Sequence, residues 1–393
     1  MKKIVRLKDS STQIFIGEDA LSYIDRYLSL LKFSSVVFVI DENSKQYTLP
    51  LLQKFFTLAS DKTTTGATIT INGTEQHKNI NTVVSLWKKF EELNLDRNSI
   101  IINVGGGVVS DMAGFAAATY KRGIRFINIP TTLLSMVDAS VGGKTGIDLD
   151  NLKNAVGVFA RPLAVFISPL FLQTLQRKEL LSGMAEVIKM YAISGKGLLS
   201  VNPTEGDRMP LKTQRLRRAN RVKRSYLMDN EYLRDEAQRI DLRNLEASIV
   251  FAVKEKARIA RKDFHEKSLR KTLNFGHTFG HAFESLLLEK NTAVTHGEAV
   301  LWGMVCELWL SVKLLGFPAK EYNKFLEFAR KNYNTLPLST EDIPALINYM
   351  QGDKKNTNGK IYPVLLKKYG CCVYNIAIDK DIITDCLIEF LAY

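Results

Sequence analysis

The chain has 393 residues, of which 46% are hydrophobic, so it can bury more than one core and two domains are expected. It has no apolar run long enough to span a bilayer and no apolar signal-peptide core near its start, so we expect a cytoplasmic protein without a membrane partner. Its net charge of +13 suggests an anionic partner, and its four cysteines lack metal-ligand or disulfide-framework spacing.

The first half of the chain alternates β-branched runs with helical stretches. Strands are predicted at residues 34–40, 67–71 and 99–104, with a helix over residues 80–93. This βαβ pattern is typical of an open, mostly parallel sheet. We therefore predict an α/β, Rossmann-like dinucleotide-binding domain over residues 1–168.

The third predicted strand runs into three consecutive glycines, residues 105–107, and then into a helix with Ser110 or Asp111 near its start. Glycines let the backbone approach a phosphate, and a helix N-terminus favours an anion. The glycines are contiguous, so the pattern differs from the strict spaced fingerprint. Asp41, directly after the first of these strands, is placed to accept from ribose hydroxyls, although a simple turn explains it equally well.

A second cluster of small residues, hydroxyls and cations follows at residues 130–132, 138, 142–146 and 153–154. Its Gly-Gly-Lys-Thr run resembles a phosphate loop but lacks the upstream glycine of a Walker motif, which excludes an ATPase. Lys144, Lys153 and Asn154 would still suit an anionic substrate.

From residue 169 onward helical patterns dominate. Helices are predicted at residues 172–192, 245–261, 274–288, 296–315 and 319–333, with a small hairpin formed by residues 360–366 and 371–376. This predicts an α-helical metal- and substrate-binding domain over residues 169–393.

Three of the five histidines of the chain crowd into one stretch, as His277, His281 and His296. The first two are four positions apart, so a helix would place both on one face. Two imidazoles and a carboxylate suffice for a catalytic metal. Glu186 interrupts an apolar helical stretch and is the best third ligand beside His296 and either His277 or His281. The alternatives are packing histidines and a Glu186–Lys189 pair within one helix.

These residues resemble the 3-dehydroquinate synthase family, the NAD- and metal-dependent sugar-phosphate cyclases. The matching stretches are residues 105–111, 120–123, 130–145, 153–154, 183–189, 273–282, 296–298 and 353–355, in the order the family has them. The resemblance implies a phosphate-eliminating carbon–oxygen lyase of the shikimate pathway. Its substrate would be 3-deoxy-D-arabino-heptulosonate 7-phosphate, and its products 3-dehydroquinate and phosphate.

The resemblance also implies a role for each matching residue. Zinc or cobalt would be held by Glu186, His277 and His296. NAD would be bound by Asp41, Asn43, Glu75, Lys78, Gly106, Gly107, Asp111, Thr131, Thr132, Lys144, Lys153, Asn154 and Thr174. The substrate would be surrounded by Asp138, Lys144, Asn154, Lys189, Lys256, Arg270, Asn274, His281, Lys354 and Lys355, with one or both of the last two used. Arg122 would reach the substrate phosphate of the neighbouring subunit in a homodimer.

One segment departs from the family. Residues 194–243 are longer and more basic than is usual there, and much of the positive charge of the chain lies in residues 212–243. Such a run is typical of a solvated helix face or an insertion. Nucleic-acid binding is the alternative, and we do not expect a nucleic-acid partner. A sibling cyclase or a polyol dehydrogenase of the same fold is the nearest other enzyme.

Overall fold

The computed structural model describes residues 4–53, 66–149, 152–196, 242–352 and 360–392. Lys354, Lys355 and residues 197–241 of the basic segment lie outside the described residues, so the expectations placed on them stay predictions.

A seven-stranded sheet forms the first half. Its strands are β1 (Val5–Asp9), β2 (Thr12–Ile16), β3 (Val36–Asp41), β4 (Ala67–Ile71), β5 (Ile100–Gly105), β6 (Arg125–Pro130) and β9 (Ala164–Ile167), in the order β1-β2-β9-β6-β5-β3-β4. Only β1 and β2 pair antiparallel; the other neighbours pair parallel. The central strands are apolar and buried throughout, as both faces of a parallel sheet require.

Two further strands, β7 (Lys144–Leu149) and β8 (Leu152–Phe159), form a separate antiparallel pair. The helices of this half are α1 (Ile24–Ser29), α2 (Lys45–Gln53), α3 (Ile80–Glu92) and α4 (Gly107–Thr119). Helix α3 begins at Asn79, whose side chain accepts from the backbone N–H groups of Asn81 and Thr82.

The second half is mainly helical. Its helices are α5 (Arg177–Ile193), α6 (Leu242–Lys262), α7 (His277–Glu289), α8 (His296–Leu315), α9 (Ala319–Asn332), α10 (Ile343–Gly352) and α11 (Lys380–Leu391). The strands β10 (Leu365–Lys368) and β11 (Cys371–Val373) form the small hairpin. Within the described ranges, no helix combines the length and the apolar character needed to cross a membrane.

The predicted fold class, an α/β sheet domain followed by a helical one, is confirmed. Two predicted helices begin later than expected because short 3₁₀ helices, Pro169–Thr174 and Leu269–Asn274, come first. The hairpin is shorter than predicted. Pro363 precedes its first strand and cannot donate to a ladder.

The two halves share a core. Phe38 and Phe166 of the sheet belong to the same buried cluster as Phe283 and Trp302 of the helices. A second cluster covers the other sheet face, against α3 and α4. Because residues of both halves belong to the first cluster, the sheet packs directly against the helices. The domain division at residues 168/169 itself stays a prediction.

Candidate active site

Three side chains from three helices form a compact group of potential metal ligands. Glu186 comes from α5, and His277 and His296 are the first residues of α7 and α8. One ligand atom of each lies within 4.8 Å of the other two, and Nε2 of either histidine is 3.5 Å from Glu186 Oε1. A carboxylate with two imidazoles suits zinc or cobalt and leaves coordination positions open.

Glu186 is a buried carboxylate that lacks ordinary partners. The residue is 1% exposed, and neither oxygen accepts a hydrogen bond of good geometry, although the Lys189 ammonium touches Oε2. A buried charge with incomplete compensation is costly. The group therefore fits a divalent cation, while the contact with Lys189 shows that the simple helix pair is also present.

Both histidines of the group are oriented through Nδ1. That atom lies 3.2 Å from the Phe275 carbonyl in His277 and 3.2 Å from Glu284 Oε2 in His296. A fixed Nδ1 leaves Nε2 facing Glu186, which is how metal-bound histidines are commonly held.

His281 lies beside this group but outside it. Its ring centroid is 5.2 Å from that of His277 and 6.2 Å from that of His296. Among the described residues, the candidate ligand group comprises only Glu186, His277 and His296. The structure thus places His277 in the candidate ligand group and His281 outside it, and the assignment of the metal ligands stays a prediction.

Carboxylates govern the protonation of His296. Burial disfavours the charged imidazole, but the nearby Glu186 and Glu284 carboxylates outweigh burial and raise the pKa of His296 to about 10. Without a bound metal the ring is therefore protonated on both nitrogens, and a metal ion must displace the proton on Nε2 to bind there.

The N-terminus of α7 is fixed by a buried acid that the sequence analysis did not single out. Glu307 accepts from the backbone N–H of Gly276 at 2.7 Å and from that of Thr278 at 3.3 Å. Gly276 has a φ of 82°, and a Cβ there would collide with Met304 and Val300 of α8. This close approach of backbone and helix sets the position of His277.

A capping box begins α8. The Thr295 hydroxyl accepts from the Glu298 N–H at 3.3 Å, while Glu298 Oε2 accepts from the Thr295 N–H at 3.0 Å. His296 follows directly, so its backbone is held at a satisfied helix end.

Buried cations lie next to the ligand group. Lys256 Nζ is 2.5 Å from Asp138 Oδ1, and Lys189 Nζ is 3.9 Å from the same atom. Burial would raise the pKa of Asp138, but the charges of Lys256 and Lys189 outweigh it and lower that pKa. Burial lowers the pKa of Lys256 despite Asp138. The pocket thus concentrates positive charge around one ionised carboxylate.

Arg270, Asn274 and Lys144 extend this pocket. Arg270 is 1% exposed, its Nη1 donates to the Phe264 carbonyl at 2.8 Å, and its buried Nε has no hydrogen-bond partner. Glu266 accepts from Asn274 Nδ2 at 2.8 Å and pairs with Lys144. An unsatisfied buried guanidinium N–H is a ready donor for an anionic ligand.

The glycine turn stands at the carboxyl end of the sheet. Gly106 precedes α4 and Gly107 is its first residue. Thr131 donates its N–H to the Gly105 carbonyl at 2.9 Å, which brings the turn after β6 beside it. A Cβ on Gly106 would meet the Thr132 methyl at 3.3 Å. The turn therefore offers partly accessible backbone at a helix N-terminus, which suits a pyrophosphate.

A buried lysine joins two further residues of the predicted nucleotide set. Lys78 Nζ is 2.7 Å from Asp111 Oδ2 and 2.6 Å from Asn154 Oδ1. Burial works against its charge, but Asp111 and Glu75 outweigh burial and raise the pKa of Lys78. Asn154 adopts a left-handed backbone, with φ 50°, and its N–H donates to Asp148 Oδ1 at 2.6 Å.

Lys153 connects this side of the site with the helices. Its Nζ lies 2.7 Å from Glu75 Oε1, 3.7 Å from Asp148 Oδ2 and 3.3 Å from Glu284 Oε1. Burial is the main reason that the pKa of Asp148 is raised to about 6, with Glu75 adding to it against the opposing charge of Lys78.

Three further residues, Asp41, Asn43 and Thr174, are predicted to contact the nucleotide. The Asp41 carboxylate accepts from the N–H groups of Ser44 and Gly73, each at 3.0 Å, so it joins its own turn to the segment that follows β4. Asn43 and Thr174 are exposed, and Thr174 ends the 3₁₀ helix that contacts α2. Their roles toward a dinucleotide stay predictions.

Arg122 is exposed, in a turn where Lys121, Arg122 and Gly123 have φ values of 50°, 66° and 116°. The structure contains one chain, so the contact of Arg122 with a neighbouring subunit also stays a prediction.

Sequence reasoning missed several acids and one hydroxyl that hold the predicted residues in place. They are Asp148, Ser182, Glu266, Glu284 and Glu307. A signal existed for Glu284, which follows His277 by seven residues and His281 by three and so shares their helix face. No comparable spacing singles out the other four.

The fold is that of the sugar-phosphate cyclases. A 2-deoxy-scyllo-inosose synthase, solved with carbaglucose-6-phosphate, NAD⁺ and Co²⁺, superposes with a TM-score of 0.78 at 22% identity, covering 98% of this chain and 99% of that one. A 2-epi-5-epi-valiolone synthase from Streptomyces hygroscopicus subsp. jinggangensis, with NAD⁺ and Zn²⁺ bound, gives 0.75 at 21% identity, covering 99% of each chain.

Within that class, the chain belongs to the 3-dehydroquinate synthase family. Its residues 68–182 match the family's N-terminal model and residues 183–356 its C-terminal model. The 3-dehydroquinate synthase of Parabacteroides distasonis is 38% identical over 379 residues, which are 96% of this chain and 97% of that protein.

Proposed function

We propose that the protein converts 3-deoxy-D-arabino-heptulosonate 7-phosphate into 3-dehydroquinate and phosphate. The observation that carries the proposal is the position of Lys189, which touches the ligand-group residue Glu186 and lies 3.9 Å from Asp138 in the cationic pocket. A metal site and a site for a doubly anionic substrate therefore adjoin. Family membership supports the same activity.

We propose Glu186, His277 and His296 as the metal ligands. A divalent metal held there, zinc or cobalt, supplies a Lewis acid that polarises a substrate hydroxyl. The glycine turn, Lys78, Lys153 and Glu75 would hold NAD, which would supply a reversible hydride acceptor. The cofactor is thus not consumed. Phosphate loss, ring opening and aldol closure complete the conversion.

The chain's own groups bind and orient the substrate. Arg270 has a buried N–H without a partner, and Lys256 lies close by, so this end suits a carboxylate. His281, Lys144 and Asn154 are assigned to the phosphate end and the reacting ring. Because the leaving phosphate can itself remove the proton, cations that fix its position matter more than a dedicated protein base.

We also propose a homodimer in which Arg122 contributes to the partner's site. The three successive positive φ values at this turn support it, because such strain in Lys121 and Arg122 costs about 1–3 kcal/mol for each residue and tends to persist at functional sites.

Phosphate release tests the proposed reaction. The protein is incubated with the heptulosonate phosphate, zinc and an NAD concentration far below that of substrate, while phosphate and product absorbance are followed. Many turnovers per NAD are expected. Absence of phosphate release would sink the proposal, and NADH accumulating in proportion to substrate would indicate a dehydrogenase instead.

A matched pair of variants tests the pocket. Lys256→Met removes a buried cation and should lower kcat/KM by at least about 100-fold, in line with the loss of a charge-assisted contact worth about 3 kcal/mol. Lys324→Met removes a lysine paired with Glu321 on the surface of α9 and should leave kcat/KM unchanged. Equal effects of the two substitutions would contradict the assignment.

A further inference from the structure

Glu284 is a buried carboxylate to which the proposed reaction gives no task. It lies on α7, on the helix face of His277 and His281, and is 8% exposed. A buried carboxylate is costly unless charged or donor groups compensate it. The two groups that compensate it belong to two different parts of the site.

One oxygen faces the metal ligands. Glu284 Oε2 is 3.2 Å from His296 Nδ1, and His296 Nε2 is 3.5 Å from Glu186 Oε1. An ionised carboxylate can only accept a hydrogen bond, so Nδ1 of His296 carries the hydrogen. Nε2 then faces Glu186. Glu284 thereby selects both the tautomer and the ring orientation in which His296 can bind a metal.

The other oxygen faces the nucleotide side. Glu284 Oε1 is 3.3 Å from Lys153 Nζ, whose side chain is 8% exposed. The same ammonium lies 2.7 Å from Glu75 Oε1, so Lys153 is shared between α7 and the proposed dinucleotide pocket. Glu284 and Lys153 therefore link His296 directly to Glu75.

We propose that Glu284 is a positioning residue that couples metal binding to NAD binding; this rests on the proposed function of the site. A bound metal fixes His296, and His296 in turn holds Oε2 of Glu284. Oε1 of Glu284 then shares the Lys153 ammonium with Glu75. Without the metal, His296 keeps its contacts with Glu186 and Glu284 but lacks the metal bond that fixes its ring. Glu284 and Lys153 then hold Glu75 less firmly. Metal should therefore tighten NAD binding, and by linkage NAD should tighten metal binding equally.

Glu284→Gln tests this coupling, with Glu289→Gln as the matched control. Glu289 is the last residue of the same helix, where it accepts from Tyr349 at 2.6 Å on the surface. Zinc affinity is measured by competition with a chromophoric chelator, and NAD affinity by calorimetry on zinc-loaded and zinc-stripped full-length protein. Neither readout depends on turnover.

In the wild type and in Glu289→Gln, zinc should tighten NAD binding by at least about 5-fold. In Glu284→Gln, zinc affinity should fall by about 10- to 100-fold, and the ratio of the two NAD affinities should approach one. Wild-type zinc affinity together with a wild-type ratio in Glu284→Gln would overturn the inference. A ratio of one between the two NAD affinities of the wild type would also overturn it.

A second variant covers the case in which Glu284→Gln does not fold. Lys153→Met breaks the link while leaving Glu284 on His296, so the ratio of NAD affinities should again approach one; an unchanged ratio overturns the inference. Failure of the proposed zinc or NAD site is distinct, since the wild type would then bind no zinc or no NAD at all, and failure of the proposed reaction is recognised separately by the absence of phosphate release.

Discussion

The backbone N–H of Gly297 donates to the hydroxyl of Ser182 at 3.0 Å. This bond joins the first turn of α8 to α5, the helices that carry His296 and Glu186. A Cβ on Gly297 would overlap the backbone of Ser182. The approach of the two helices, and with it the spacing of two proposed metal ligands, therefore depends on a residue without a side chain.

Gly297→Ala should separate α8 from α5 and weaken metal binding. Overpacking a closed contact costs about 1–3 kcal/mol of stability. We expect that loss in urea unfolding, together with at least about a tenfold loss of zinc affinity, since metal sites tolerate only small ligand displacements.

Gly352→Ala is the control for that substitution. It lies at the end of α10, and a Cβ there would meet no atom within 4 Å. Its stability should stay the same or rise by up to about 1 kcal/mol, and its zinc affinity should not change. If Gly297→Ala behaves like Gly352→Ala, the contact with Ser182 does not set the ligand spacing.

Substitutions in the histidine group should separate metal binding from turnover. Glu186→Gln and His296→Ala each remove a proposed ligand and should abolish tight zinc binding. His281→Ala should retain zinc and lose turnover, because its ring lies outside the ligand group. Zinc content after dialysis and phosphate release measure the two properties; equal zinc loss in all three variants would refute the ligand assignment.

Sequence periodicity predicts the fold well because the pattern is local. The buried run of β3 and the amphipathic helix α3 are each visible within about a dozen residues. The site is different. Spacing brings His277 and His281 to one helix face, but it says nothing of the distance from Glu186, which depends on how α5 packs against α7 and α8.

Residues that position others are harder still to predict. Glu307 and Ser182 act on backbone groups far away in the chain, and a single sequence holds no record of those contacts. Family resemblance suggests which residues touch ligands, mostly from short motifs along the chain. It does not supply the acids and hydroxyls behind them.

Glu307→Gln should destabilise the protein without touching a proposed ligand. Both carboxylate oxygens accept from backbone N–H groups at the start of α7, and an amide replaces one acceptor by a donor facing a donor. Leaving one buried N–H unsatisfied costs about 1–3 kcal/mol, and the charge at the helix N-terminus is lost as well. Urea unfolding of the zinc-loaded protein should show this loss.

The acid stability of the protein should depend in part on Asp263. Burial would raise its pKa, but hydrogen bonds from the N–H groups of Arg270, Ser268 and Lys267 outweigh burial and lower the pKa of Asp263 to about 2. A carboxyl whose pKa is lower when folded stabilises the fold above its unfolded pKa of about 4 and loses that contribution as pH falls toward 2.

Asp263→Asn should therefore have a lower free energy of unfolding than the wild type at pH 5–7, with the difference shrinking steadily below pH 4. Asp385→Asn, an exposed position on α11, is the control and should show little difference at any pH. Because the turn that Asp263 closes leads to Arg270, the same variant should also bind the anionic substrate less tightly. A stability difference that stays constant down to pH 3 would mean that the charge of Asp263 is not what holds this turn.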